Sequence, residues 1–465
     1  MKFKVTIMLL FTLLASITAQ DAVLERYIKS GLENNLALKQ KEFSLQKSIA
    51  SLDDARGMFM PSVSINARYT RAGGGRTIDF PVGDLVNPIY GGLNQLLGSN
   101  VYPTDIANEE INFLRKKEHE TKISLVQPIF QPQIYFNYKL NNNLVEIKKA
   151  EKEVYARELI AEIRKAYYNY RKTLQVVDLF HETEELLTEN LRVSKSLFNN
   201  DKVTKDVVYR AEAELSDIIQ RKSEAEKNQE LARNYFNFLL NRSLDSTIEE
   251  SDEADGEANE ELTLGVVIKN ALNQREEFKQ VSSAIKVADN TIGLANSNNY
   301  PSLILAADYG FQGEEYNFDK ESDYWMASLV LQWNLFNGFR DKAKTEQAQY
   351  EKQRLEAQQL ELQKRIVLQM TESFREFELS RQSLSTARLR EVSSEEAFKI
   401  IDRKFKEGIA SQIEFIDART SLTQSKVNRI VTEYEVKIKE TEMLKNSVLD
   451  PMALSYNSES KGELK

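Results

Sequence analysis

Several residue types are missing or scarce in this chain of 465 residues. It has no cysteine, which excludes disulfide bonds, a thiolate metal site and a lipid-anchored N-terminal cysteine. It has only 2 histidines, His119 and His181, and neither an HExxH motif nor a nucleophile elbow, so no enzyme motif of these kinds is present. Beyond the first residues, no apolar run approaches the roughly 20 residues that a membrane-spanning helix needs.

Basic charge, proline and glycine are also in short supply. The formal net charge is −9, which disfavours nucleic acid as a partner because a phosphate-binding protein needs a basic face. The 8 Pro and 17 Gly stand against 29% charged residues and a mean hydropathy of −0.48. This composition is typical of long, solvated, coiled-coil-like helices.

The N-terminal segment has the pattern of a secretory signal. Lys2 and Lys4 precede an apolar run from Val5 to Leu14, and the small-residue stretch ASITAQ follows. We therefore expect residues 1–19 to form a signal peptide and the remainder to be exported.

The rest of the chain divides into two copies of one unit. A shift of 240 residues places Pro61 on Pro301, and further along a shift of 207 places Ile160 on Val367. The first copy therefore holds about 33 extra residues, which we assign to the Gly-, Pro- and Asn-rich segment 71–120. We expect this segment to be a long extracellular loop. The predicted organisation is a first repeat over 20–241, an acidic linker over 242–262, a second repeat over 263–447 and a tail over 448–465.

Long proline-free segments at matching places in the two copies predict long helices. Tyr135–Phe198 carries apolar residues in alternating steps of four and three, the heptad spacing of helices that pack side by side, and Arg340–Phe405 repeats it. At 1.5 Å per residue each helix would span roughly 100 Å. The returning helices are predicted over Lys205–Leu240 and Gln412–Ser447, with Thr204 and Ser411 as N-caps and with Asn199 or Asn200 and Gly408 as left-handed C-caps.

Four short segments have the two-residue period of β-strands. In PSVSINARYT the apolar and polar residues alternate, which indicates one apolar and one wet face. In the last segment Trp325 and Trp333 lie on one face about 26 Å apart, and with Tyr69 and Tyr309 they predict the aromatic girdle of an outer-membrane barrel. Packing of both tryptophans in a protein core is the alternative. The predicted strands are Ser62–Arg71, Thr121–Phe130, Ser302–Phe311 and Tyr324–Phe336.

Four strands are too few to close a barrel, since about eight is the minimum. The chain must then share its sheet with other copies, and three copies would give twelve strands. The predicted fold is mainly α with a small β part: duplicated long antiparallel helical hairpins forming an α-barrel, plus four strands per chain in a 12-stranded trimeric transmembrane β-barrel. The alternative is an exported coiled-coil structural or adhesive protein without a pore, which explains the heptads but not the alternating strands.

In the order and spacing of these features, the chain resembles the TolC-like trimeric outer membrane factors, the outer membrane efflux proteins of Gram-negative bacteria. The resemblance is carried by FMPSVSINARY and NYPSLILAADY, by the strand-to-helix junction LVLQWNLFNGF at Leu329–Phe339, and by the hairpin FKEGIASQIEFIDARTSL at Phe405–Leu422. It implies a passive exit duct for efflux or type I secretion, not an enzyme, with no cofactor and no metal.

The same resemblance implies a location and partners. The protein would be a homotrimer in contact with the lipid of the cell outer membrane, with its helical tunnel in the periplasm. A periplasmic adaptor, also called a membrane fusion protein, would connect it to an inner-membrane pump of the RND or ABC type.

The resemblance also places functional residues near the two turns. Glu414 and Asp417 match the family's acidic gate positions, and in a trimer they would form two stacked rings, six carboxylates in all, that select cations. Mutual repulsion would raise some of their pKa values; an ordinary solvated helix face is the alternative. The matching positions of the first copy, Val207 and Arg210, lack the acidic pair.

The resemblance also implies that the two turns contact the adaptor, with plain helix caps as the alternative. The residues of these turns are Asp201, Lys202, Val203 and Thr204 in the first copy and Gly408, Ile409, Ala410 and Ser411 in the second.

Overall fold

The computed structural model describes residues 22–250, 263–450, 452–453 and 455–456. The predicted signal peptide lies outside the described residues, as do most of the acidic linker and most of the tail. The chain divides into two compact units. The helical unit takes in the described residues up to Ala50, those of 142–288 and those from Tyr350 onward, and the strand unit takes in Ser51–Asn141 and Asp289–Gln349.

Helices account for most of the described residues, and six strands accompany them. The helices are α1 (Ala22–Asn34), α2 (Leu36–Gly57), α3 (Val82–Leu97), α4 (Pro132–Asn199), α5 (Lys205–Leu239), α6 (Leu264–Gln274), α7 (Glu276–Asn296), α8 (Arg340–Lys406) and α9 (Gln412–Ser447). The strands are β1 (Ser62–Arg71), β2 (Thr77–Phe80), β3 (Glu109–Asn112), β4 (Lys117–Phe130), β5 (Ser302–Gly313) and β6 (Asp323–Gln332).

The two long helices are those that the heptad spacing predicted. α4 has 68 residues and α8 has 67, and α4 begins with Pro132, whose missing N–H costs nothing at a first helical position. Their seams are buried, as Ile163 in α4 and Met370 in α8 illustrate. At Gly31, α1 approaches α4 so closely that a Cβ would lie 2.3 Å from Ile163 Cδ1. A helix of this length gains its stability from such packing rather than from its own propensity.

The duplication is visible in paired helix breaks. α1 and α2 are separated at Asn35, and α6 and α7 are separated at Arg275, the position that corresponds to it under the shift of 240. Asn35 Oδ1 accepts hydrogen bonds from the N–H groups of Ala37 and Leu38, so it caps α2. Its Nδ2 donates to Leu239 O and thereby joins α2 to the end of α5.

A buried ion pair joins α4 to the second copy. Arg157 Nε lies 3.1 Å from Glu276 Oε2, and the two side chains are 2% and 1% exposed. Arg157 also donates to Glu277 Oε1 at 2.9 Å and to Lys445 O at 2.9 Å. These bonds satisfy the charges that burial removes from water, and they hold α4, α7 and the end of α9 together.

In the strand unit, the four longer strands form one antiparallel sheet in the order β1-β4-β5-β6. All four predicted strands are present: β1 has the predicted bounds, and the other three have shifted ends. β4 begins at Lys117 rather than Thr121, and β6 ends at Gln332, so Trp333 lies just beyond its strand. β1 and β6 each have one edge without a partner among the described strands.

The segment 71–120 was expected to be a long loop, and this is only partly correct. It contains the two-stranded sheet of β2 and β3 and the helix α3. The glycines that suggested a loop fall in two places: Gly74 and Gly75 have positive φ before β2, while Gly91 and Gly92 lie inside α3.

Among the described residues, no helix combines the length and the apolar character needed to cross a membrane.

Candidate functional site

The polar face of the four-stranded sheet carries a network of charged side chains. Lys122 Nζ lies 2.8 Å from Asp308 Oδ2 and 3.6 Å from Glu120 Oε1. Arg68 Nη2 lies 3.5 Å from Glu120 Oε2, and the Tyr324 hydroxyl donates to Glu120 Oε1 at 2.7 Å. The network therefore joins all four strands, because β1, β4, β5 and β6 each contribute at least one member.

Gly310 makes this network possible. It pairs with Lys122 on one side and with Tyr324 on the other, so the Tyr324 side chain must cross β5 at Gly310 to reach Glu120. A Cβ at Gly310 would lie 2.4 Å from Thr121 O and 2.5 Å from Lys122 Cβ. An interior strand glycine of this kind marks a close approach of neighbouring backbones.

The opposite face of the sheet is apolar and largely exposed in the single chain. Trp325, which is 78% exposed, lies directly opposite Tyr309, and Tyr69 lies on the same face at the far end of β1. Trp333 is also exposed, and its Nε1 donates to Asn299 O at 3.1 Å. An apolar sheet face of this extent requires a covering partner or lipid.

The charge network was not predicted from the sequence. The sequence indicates only part of it: Glu120 and Lys122 are two residues apart and therefore lie on one face of a strand. Their partners Arg68, Asp308 and Tyr324 come from three other strands, whose register the sequence does not specify.

The second predicted turn has well-formed caps. Gly408 has a φ of 76°, which confirms the left-handed C-cap. Ser411 and Glu414 form a capping box: the Glu414 N–H donates to Ser411 Oγ at 3.3 Å, and the Ser411 N–H donates to Glu414 Oε2 at 2.7 Å. The Ser411 backbone N–H and hydroxyl lower the pKa of Glu414 within one chain. Asp417 lies one turn further along α9 and is exposed.

The first turn is capped differently. Thr204 occupies the N-cap position of α5 but makes no capping bond, because its hydroxyl donates to the Asp206 carboxylate instead. The left-handed residue is Asp201, with a φ of 58°, so the expectation of Asn199 or Asn200 was wrong. Asn200 remains bound to the preceding helix through its Nδ2, which donates to Ser196 O.

The residues predicted as adaptor contacts lie at the ends of both hairpins. Most of them are exposed, while Val203 and Ala410 are half-buried. Ile409 is a large apolar side chain at the tip of the second turn and is exposed.

A buried polar layer joins α9 to α4 beyond the second turn. Gln412 Nε2 donates to Asn190 Oδ1 at 2.9 Å, and Arg419 Nη2 donates to Thr183 Oγ1 at 2.8 Å. The Arg419 guanidinium also lies 5.5 Å from the Phe398 ring centroid, and its Nε has no partner among the described residues. Burial lowers the pKa of Arg419.

The spacing of residues in α9 indicates this buried polar layer. Gln412, Phe415, Arg419 and Leu422 follow steps of three, four and three, which places both polar residues on the buried stripe of α9. A polar residue at such a position must find a partner on the neighbouring helix.

We expect the Ser411 cap to be worth about 1 kcal/mol, whereas Thr204 contributes little as a cap. Ser411→Ala should therefore speed hydrogen exchange of the Glu414 amide roughly fivefold. Thr204→Ala, the matched change in the first copy, should leave exchange at the start of α5 nearly unchanged. Equal effects in the two hairpins would contradict the assigned difference in capping.

The described residues contain no group of three or more His, Asp or Glu side chains arranged to hold a metal ion. His119 is buried in the strand unit and stacks on Tyr316, with ring centroids 4.3 Å apart. His181 is exposed on α4 beside Glu185.

One segment in the second half of the chain is similar to a known protein family. Residues 267–445 match the family model described as outer membrane efflux protein. This match confirms the resemblance seen in the sequence. No curated protein sequence matches the chain.

Several solved structures share its fold. The outer-membrane channel OprN aligns with a TM-score of 0.74 at 16% identity, over 92% of this chain and 90% of that one. The CmeC outer membrane channel of Campylobacter jejuni gives 0.76 at 14% identity, over 91% and 85%. The outer membrane protein VceC from Vibrio cholerae gives 0.73 at 14% identity, over 92% and 96%. These similarities confirm the predicted fold class of long helical hairpins with a small sheet.

Proposed function

We propose that this chain is the outer membrane channel of a tripartite export system, since residues 267–445 match the family model described as outer membrane efflux protein. The channel is a passive duct located in the outer membrane, with its helices in the periplasm. We assign it no catalytic role. Energy comes from an inner-membrane transporter, which acts through a periplasmic adaptor.

The observation that carries this proposal is the four-stranded sheet with two open edges. One face bears the charge network around Lys122 and the other bears exposed apolar side chains such as Trp325. A sheet of this kind is stable when the apolar face contacts lipid, the polar face contacts water and the edges are paired. Three copies meet these conditions by joining the β1 edge of one to the β6 edge of the next, which gives twelve strands.

The two faces of the sheet then have defined roles. Tyr69, Tyr309, Trp325 and Trp333 contact lipid as the aromatic girdle. The network of Arg68, Glu120, Lys122, Asp308 and Tyr324 lines the water-filled interior. Because each chain brings two basic and two acidic members to the network, the wall carries charge without a large net field.

The ends of the helical hairpins form the periplasmic entrance. The turns at Asp201–Thr204 and Gly408–Ser411 receive the adaptor, and Glu414 and Asp417 line the closed end. The hairpin of α8 and α9 moves away from α4 when the entrance opens. The contacts of Gln412 with Asn190 and of Arg419 with Thr183 must break in that movement.

The channel proposal is tested by purifying the full chain from membranes in detergent and reconstituting it in planar lipid bilayers. We expect a trimer whose gel mobility changes on boiling and a stepwise ionic conductance after reconstitution. A monomer that is soluble without detergent and shows no conductance would exclude the channel and favour the coiled-coil alternative.

A second measurement tests the gate carboxylates. Glu414→Gln with Asp417→Asn removes six charges from a trimer, so cation selectivity, read from the reversal potential in a salt gradient, should fall. Glu414→Gln alone and Asp417→Asn alone should each give part of the change, because each removes three of the six charges. Since the pKa of Glu414 lies below its ordinary value of 4.5, its charge persists to lower pH than that of an ordinary glutamate.

Asp206→Asn is the matched control for this measurement. It removes an exposed carboxylate at the start of α5, in the first copy, and should leave the reversal potential unchanged. Block of the conductance by added multivalent cations is measured in the same bilayers. If the double variant keeps the wild-type cation selectivity and is blocked like wild type, Glu414 and Asp417 do not line the gate.

A further inference from the structure

Helix α3 lies in the segment between β1 and β4, and its polar side faces the stretch of chain that follows it. Asn87 Nδ2 donates to Ile106 O at 2.8 Å, and Asn87 Oδ1 accepts from the Ile106 N–H at 3.0 Å. Asn94 makes the same pair of bonds with Tyr102, at 2.7 and 2.9 Å. Gly83 is buried on this side, where a Cβ would lie 2.1 Å from Ile106 O. The following segment of chain is therefore fixed to the polar side of α3.

The apolar side of α3 faces solvent in the single chain. Leu85, Ile89, Leu93 and Leu96 follow steps of four, four and three, which places them on one helix face. Leu85 and Ile89 are 62% and 61% exposed, and Leu96 is 85% exposed. A helix that binds its own domain through asparagines and exposes its leucines presents a surface for another molecule.

The charges around α3 argue against a lipid surface as its partner. Residues 77–114 contain five acidic residues and no lysine or arginine. Helices that lie on membranes carry basic residues on the polar face, because the headgroups they meet are anionic. Here the polar side is occupied by asparagines that are bound to backbone groups. An uncharged apolar stripe is suited instead to a second apolar stripe of the same kind.

The position of α3 in the chain supports a second copy as the partner. β2 and β3 extend the β1–β4 pair, since the Ala72 N–H donates to Lys116 O at 3.1 Å and the Phe113 N–H donates to Arg76 O at 3.0 Å. β1 is an open edge of the sheet, so the extension that carries α3 leaves the sheet beside the edge where the next copy joins.

We propose that the apolar faces of α3 from three copies of this chain pack against one another and narrow the outer mouth of the channel. The inference depends on the proposed trimeric channel and adds an outer constriction to it. Leu85, Ile89 and Leu96 form the contact. The asparagine bonds to Tyr102 and Ile106 hold each helix in position.

The absence of cysteine allows a direct test by disulfide crosslinking of the full-length protein in membranes. Leu96→Cys and Ile89→Cys each supply the only thiol of the chain. Under mild oxidation we expect a disulfide-linked dimer containing about two thirds of the chains, because one bond joins two of three symmetric copies. Thr104→Cys is the control: it is exposed on the segment that covers the opposite side of α3, and it should remain monomeric on the denaturing gel.

A second variant tests the consequence for conduction. Leu85→Ser, Ile89→Ser and Leu96→Ser together leave the asparagine bonds intact, so α3 should remain folded. We expect the single-channel conductance to rise while the trimer stays intact in detergent. If the wild-type chain is not a trimer, the proposed channel itself fails. If it is a trimer but neither cysteine variant crosslinks and the serine variant conducts like wild type, only the outer constriction is overturned.

Discussion

Replacing Arg419 with methionine is expected to hold the periplasmic entrance closed, and replacing Thr183 with valine is expected to open it. Arg419 is 7% exposed and has one hydrogen bond to a side chain, from Nη2 to Thr183 Oγ1. Its Nε has no partner among the described residues. The Glu182 carboxylate attracts the guanidinium, but burial outweighs this attraction and lowers the pKa of Arg419. The closed contact between α9 and α4 is therefore weaker than an apolar contact would be.

The two substitutions therefore act in opposite directions. Arg419→Met fills the site with an apolar side chain of similar length. When buried ion pairs are replaced by apolar residues the gain reaches about 1–4 kcal/mol, and for this single charge we expect a value near the lower end. Thr183→Val leaves the guanidinium without its acceptor, which costs about 1–3 kcal/mol in the closed state. The Thr183 hydroxyl also donates to Leu179 O within α4, so Arg419→Met does not leave that hydroxyl unpaired.

Open probability in planar bilayers measures both effects. At 1.4 kcal/mol per factor of ten, each change should shift the ratio of open to closed channels roughly tenfold, downward for Arg419→Met and upward for Thr183→Val. Thr173→Val is the control, because its hydroxyl bonds to Tyr170 O within α4 and has no partner on α9. Shifts of the same sign in the two variants would show that Arg419 does not weaken the closed contact.

The fold could be predicted largely because its signals are periodic and repeated. Heptad spacing located α4 and α8 to within three residues at each end, since a seam that needs burial on every turn is recorded in the sequence. Alternation located β1 without error, because one face of that strand carries only apolar side chains from Val63 to Tyr69. The helix inside segment 71–120 was missed because its glycines and Pro88 suggested a loop.

The charge network and the buried polar layer were less predictable, because their residues come from helices and strands that are far apart in the sequence. The partners Glu120 and Tyr324 are joined only once the register of β4, β5 and β6 is fixed. Arg419 and Thr183 are 236 residues apart and belong to different copies of the repeat. The caps at Gly408 and Ser411 were predictable, because a cap depends on a few consecutive residues. The left-handed position at Asp201 was misassigned because asparagine and aspartate both tolerate that conformation.

Replacing Gly310 with valine is expected to prevent assembly of the channel. The new Cβ would lie 2.4 Å from Thr121 O and 2.6 Å from Lys122 Cα, and both are backbone atoms that cannot rotate away. β4 and β5 would have to separate at the centre of the sheet, where they are paired over most of their lengths. We expect a loss above about 4 kcal/mol, in the range that only a severe steric conflict reaches.

The measurement is the yield of heat-sensitive trimer in the outer membrane fraction, which should fall to near zero for Gly310→Val. Ala306→Val is the matched control, since it adds the same side chain on the same face of β5, where a Cβ is already accommodated. Combining Gly310→Val with Lys122→Ala should not restore the trimer, because the backbone conflict with Thr121 remains. A normal yield of Gly310→Val trimer would mean that the close approach of β4 and β5 is not required. The bond from Tyr324 across Gly310 to Glu120 would then be incidental to the channel wall.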